Sequence, residues 1–151
     1  MESHLLEFRI LSLLRNRNMY LKYTPIVKDY LFESKHTKYI FKLIVFYHTH
    51  AKGKVLAPLG SLFALVNSRI KPNEAGKYKE IIKKVKQYPL TDESIADDIV
   101  KRFAKRQLLK ITIMDAVHSL DHEEDIDVNK LRGTLDEALL VDSTELLDTA
   151  Y

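Results

Sequence analysis

The sequence predicts an all-α fold: a compact bundle of about five helices followed by a helical hairpin. Three observations carry this expectation. Apolar residues recur at spacings of three and four in nearly every segment, the signature of a helix buried along one face. No segment shows the strict apolar–polar alternation of a strand, and no internal repeat or low-complexity tract is present. One stretch, from about Asp92 to Leu120, runs roughly 29 residues without a breaker, long for a globular helix, and a shorter amphipathic stretch follows it.

The elements follow in order. Ser3 is read as the cap of a first helix reaching about Arg15, with Leu6, Ile10, Leu13 and Leu14 inward. Asn16 to Asn18 breaks the chain, and a short helix, Met19 to Tyr23, stops ahead of Pro25 because the residue before proline avoids the α region. Ile26 to Phe32 is a short helical or irregular piece in which Tyr30, Leu31 and Phe32 plug into the core. Ser34 caps a helix over Lys35 to His50. Its β-branched and aromatic centre has strand character, but Lys42 and the lack of alternation favour helix. Gly53 marks a turn, Pro58 opens a helix to about Asn67, and Asn73 caps another through Gln87 with Tyr78, Ile81, Ile82 and Val85 on its apolar side.

Beyond Thr91 the long arm changes character. Ile95, Ile99 and Phe103 make a single stripe; further on, Leu108, Ile111 and Met114 lie on one side and Leu109, Ile113, Ala116, Val117 and Leu120 on another. A helix apolar over so wide an arc has to be covered on more than one face. The second arm, about Val128 to Leu140, carries Val128, Leu131, Leu135, Ala138 and Leu139, one stripe that covers one face of the first arm. The other face is left for a second chain or for the rest of this one. We therefore expect residues 1–90 to form a globular bundle, 91–140 a hairpin for self-association through Leu109, Ile113, Ala116, Val117, Leu120, Leu131 and Leu135, and 141–151 the start of a linker.

Composition narrows the chemistry. The chain is 46% hydrophobic and 30% charged, ordinary for a globular protein, and long enough for a sizeable core. It has no cysteine, which excludes disulfides and thiolate chemistry and fits a cytoplasmic setting. Glu2 and His4 interrupt any leader, and no apolar run approaches the ~20 residues that span a bilayer, so no membrane association is expected. The net charge of +3 hides an asymmetry: residues 1–110 hold 22 Lys+Arg and 10 Asp+Glu, residues 111–151 hold 2 and 11. Such a distribution suits nucleic acid at one end and a basic partner at the other, mutual attraction between opposite ends of like subunits, or two solvated faces of differing sign.

Motifs for catalysis are wanting. There is no GxxxxGK[ST] loop, no GxGxxG and no GxSxG; four glycines, at 53, 60, 76 and 133, build none of these. We expect no cofactor and no catalytic residue. His118 and His122, four apart near Asp115 and Asp121, have metal-ligand spacing, but without an HExxH glutamate the better reading is an acidic hairpin turn in which Asp125 or Asp127 caps the second arm. No metal site is expected. Two basic clusters, one with Lys79, Lys83 and Lys84, the other with Lys101, Arg102 and Lys105, are candidates for phosphate contact, with Tyr78 and Tyr88 available to stack. Solubilising a half-buried helix explains the same lysines more simply.

A family resemblance goes with this layout. The opening SHLLEFRILSLLRN, the segment YLKYTPIVKDYLFESKHTKYIFKLIVFYHTH with Tyr30, Phe32, Ile40 and Phe41 at its apolar centres, and ADDIVKRFAKRQLLKITIMDAV resemble the N-terminal domain of DnaB-type replicative hexameric DNA helicases, in their phage, T-even-like branch. The resemblance covers nearly the whole chain. It implies a bundle plus hairpin whose hairpins pair between subunits into a collar on the helicase ring, with primase or a helicase loader docking there. The motor would lie in a C-terminal domain beyond residue 151. This chain would then carry no catalysis, and its setting would be the bacterial host cytoplasm. The helicase-binding domain of primases has a similar shape but sits at a C-terminus, whereas Met1 here leads straight into a helix. The remaining alternatives are a free-standing basic nucleic-acid-binding protein and, last, a metal-dependent hydrolase at His118 and His122.

Overall fold

The computed structural model describes residues 2–90, 92–122 and 125–143. They form seven α-helices: α1 (Glu2–Leu14), α2 (Arg17–Tyr23), α3 (Lys35–His50), α4 (Leu59–Arg69), α5 (Pro72–Gln87), α6 (Glu93–Asp121) and α7 (Val128–Ser143). A 3-10 turn, Asp29–Leu31, lies between α2 and α3. Among the described residues there is no strand, only an isolated antiparallel bridge between Asn16 and Leu56. The fold is all-α, a helical bundle followed by a hairpin. The chain divides into two compact units, Met1–Ala96 and Asp97–Tyr151.

In the first unit α5 packs on α1, α3 and α4, and α3 also meets α1, α4 and the 3-10 turn. The core is Ile10, Leu11 and Leu14 of α1, Ile40, Leu43 and Ile44 of α3, Leu62 and Val66 of α4 and Ile82 and Val85 of α5. Leu31 and Phe32 plug it from the 3-10 turn, and Phe32 meets Phe41 with ring centres 5.0 Å apart. Tyr30, expected in the same plug, is 45% exposed. A 3-10 turn steps about 120° per residue, so three consecutive side chains cannot all face inward.

Helix starts show how local chemistry sets the boundaries. Ser34 caps α3, its hydroxyl accepting from the amides of His36 and Thr37. Asn16 caps α2 and accepts from Met19 N, so that helix begins at Arg17, two residues earlier than expected. Helix α1 already includes Ser3, which therefore is not its cap. Helix α5 opens with Pro72 as its first residue and not after a capping Asn73: proline's fixed φ suits that position and its missing N–H costs nothing there. Gly53 closes the turn after α3 at φ 85°, a left-handed conformation that favours glycine.

Two buried polar groups stitch the first unit. Glu7, fully buried on α1, accepts from the Thr37 hydroxyl at 2.7 Å and from Glu33 N at 3.0 Å, which fixes the start of α3. His48, in the last turn of α3, is 2% exposed. Its Nε2–H donates to the Leu14 carbonyl at 2.8 Å, its ring stacks on Tyr20 at 4.7 Å, and Arg17 donates to the His48 carbonyl at 2.7 Å. Burial, and secondarily Arg17, hold the imidazole below its ordinary pKa against the raising effect of the Leu14 hydrogen bond. It is a neutral core group.

In the second unit α6 and α7 run antiparallel across a six-residue connection, 122–127. Asp127, not Asp125, caps α7 by accepting from Lys130 N at 3.0 Å. Helix α7 continues past Leu140 to Ser143 with Val141 buried, so the linker expected from residue 141 does not begin there; residues 144–151 lie outside the described residues. Gly133 has open space where a Cβ would stand, so close helix approach is not its reason.

Candidate functional site

The face that singles out this molecule is on the hairpin. Thr112, Ala116 and Ser119 of α6, with Leu131 and Thr134 of α7 and its capping Asp127, line a cleft of about 280 Å³ where the two helices face each other. Ala138 and Val141 continue that side of α7 and are buried. Ile113, Val117 and Leu120 each follow a cleft residue of α6 by one position, a rotation of about 100°. Val128 and Leu135 follow the cleft residues Asp127 and Thr134 in the same way, and Leu139 follows Ala138. Since the helices run in opposite directions, the same rotation places both sets on one side of the hairpin. All six are open: Ile113 63%, Val117 49%, Leu120 62%, Val128 62%, Leu135 40% and Leu139 62% exposed.

The expected hairpin residues thus divide by role. Ala116 and Leu131 are half-buried within the cleft. Leu109 is half-buried in a groove on the outer side of α6, beside Arg106, Lys110 and Ile113. Ile113, Val117, Leu120 and Leu135 form the open face. The second arm's single stripe is really two: Leu131 and Ala138 turn inward while Val128, Leu135 and Leu139 turn outward. The early stripe of α6 also differs from expectation. Ile95 is 48% exposed, and the buried line is Ala96, Val100, Phe103 and Ala104. Two alanines, weak as apolar signals, carry it.

The basic candidates do not form one site. Lys83 and Lys84 are exposed and Lys79 half-buried; Lys79 and Lys83, four apart, share one flank of α5, and Lys84 is turned about 100° from Lys83. Lys84 shares a shallow cleft with Phe8, His36, Lys77 and Glu80. On α6, Lys101 pairs with Asp97 at 3.2 Å and Arg102 with Asp98 at 3.5 Å, both one turn back, which neutralises part of that cluster; Lys105 is half-buried. Tyr78 meets His36 and Tyr39 edge-on, and Tyr88 stacks on Phe8, so both rings are engaged within the bundle. His118 and His122 lie ring against ring at 4.1 Å, and Nδ1 of His122 donates to the His118 carbonyl at 3.0 Å. Among the described residues no three His, Cys, Asp or Glu side chains converge as a metal site would require, and no helix is long and apolar enough to cross a membrane.

Comparison of the chain with protein-family models, with curated proteins and with solved structures returns no match.

Proposed function

We propose that this chain is an assembly module whose hairpin pairs with the hairpin of a second copy. We further propose that it serves as the N-terminal collar domain of a replicative DNA helicase, with primase or a helicase loader docking on the collar and the motor in another part of the parent protein. One observation carries the first part: six large apolar side chains from two helices share one open side of the hairpin. Exposed apolar surface in such a contiguous patch marks an interaction site. Burying the exposed part of each is worth roughly 1–2 kcal/mol. Summed over two copies, that reaches or exceeds the ~4–15 kcal/mol that association costs. The second part is supported by the sequence resemblance quoted above and by the hairpin-after-bundle layout it implies.

Light scattering over a concentration series tests the pairing. The wild-type chain should rise in mass with concentration, and Val117→Asp, which would bury an unpaired charge in the contact, should stay at the monomer mass. Identical masses for the two would overturn the reading. The collar assignment has its own check, a RecA-like motor encoded in frame downstream in the parent gene; its absence removes the helicase while leaving the pairing intact. Direct nucleic-acid binding through the basic clusters is a weaker reading, given the ion pairs at Lys101 and Arg102. It requires affinity for DNA that falls steeply with salt.

A further inference from the structure

We propose that two hairpins pair face to face and head to tail, the acidic end of each lying along the cationic half of the other's α6, so that association weakens as salt rises. This rests on the self-association reading and adds a direction to it. The open stripe of α6 runs Arg102, Arg106, Leu109, Ile113, Val117, Leu120, at spacings of three and four, so that one helix face is cationic in its first half and apolar in its second. A groove of about 510 Å³ follows that face past Lys105, Arg106, Leu109, Lys110 and Ile113. Arg106 and Lys110 are exposed, and Arg102, which Asp98 engages, is not needed. From residue 111 to 127 the sign reverses: six acids, Asp115, Asp121, Glu123, Glu124, Asp125 and Asp127, and no Lys or Arg. Helix α7 carries its own gradient, Lys130 and Arg132 first, then Asp136 and Glu137.

A two-fold axis can bring the same face of two copies together in two ways. With the hairpin ends together, α6 lies on the partner's α7, and the two acidic connections are held side by side. Like charges so placed repel within a Debye length of about 10 Å. With the ends opposed, α6 lies antiparallel on the partner's α6. Its cationic half then meets the acidic end, twice by symmetry, and Arg132, one turn on from Val128, comes toward Asp136 on the paired α7 helices. Arg106 and Asp121 are fifteen residues apart, about 22 Å along the helix, so the acidic connections then stand well apart. Helix against helix, the charges are complementary in both arrangements; only the opposed one also separates the acids.

The full chain, which has no cysteine of its own, allows a direct test. Under mild oxidation Asp121→Cys alone should give no disulfide-linked dimer, while a mixture of Asp121→Cys and Arg106→Cys chains should cross-link. The dissociation constant of the wild-type dimer should rise with salt. Arg106→Glu with Lys110→Glu should weaken the dimer about tenfold or more at low salt, and adding Asp121→Lys with Asp125→Lys should restore it. Self-linking of Asp121→Cys overturns the direction, as does an unchanged dissociation constant on reversing the α6 charges, and in both cases a dimer that Val117→Asp still dissociates keeps the pairing itself. A wild-type chain that is monomeric at every concentration overturns both.

Discussion

Glu7 and Thr37 show how much a single buried pair can decide. The carboxylate has no exposure and spans from α1 to the first turn of α3. Thr37→Val keeps the shape and deletes the hydroxyl that donates to Glu7 Oε1. Taking one donor from a buried acceptor costs about 1–3 kcal/mol, and urea denaturation should show a loss in that range. His48 adds a pH dependence whose sign follows from its lowered pKa. The unfolded imidazole titrates near 6.5 and the folded one below it, so between those values the unfolded chain binds more protons. The stability His48 contributes is whole above pH 6.5 and falls as the pH drops through the folded value. Melting temperature should therefore decline from pH 7.5 to 5.5, and His48→Gln, whose amide still donates to the Leu14 carbonyl, should flatten that decline.

At the scale of one helix, α7 is the least self-sufficient element. Its start is secured by Asp127, but Gly133 sits mid-helix with open space around its missing Cβ. Gly133→Ala should raise helix stability by about 1 kcal/mol, visible as added helical ellipticity near the melting transition. Gly133 follows Leu131 by two positions, a turn of about 200°, so it points away from both the cleft and the open side. Self-association should then be unchanged, and a loss on this substitution would place the partner on the opposite side of the hairpin.

For the whole molecule the question is which exposed apolar residues matter. Val55 in the first unit is 66% exposed and Leu139 on the hairpin 62%. Exposure alone does not separate them. Leu139 belongs to a six-residue surface drawn from two helices, whereas Val55 lies in the connection between α3 and α4 and on no helix face. Leu139→Asp should therefore hold the chain at monomer mass in light scattering, and Val55→Asp should leave the concentration dependence of mass as in wild type.

The sequence by itself determined the helices, their order and the excess of apolar residues late in the long arm, because helical period, proline and capping residues are local properties. Lys35–His50 was legible to the residue for that reason: Ser34 fixes one end and the Gly53 turn follows the other. What only the tertiary structure decided is which side of each helix is covered. Alanines at 96 and 104 pack where Ile95 does not, and His48 is a neutral core group because Leu14, Tyr20 and Arg17, distant in sequence, close around it. The open side of the hairpin is likewise a matter of rotation: a helix places successive side chains about 100° apart, and the neighbouring helix alone selects which of them it hides.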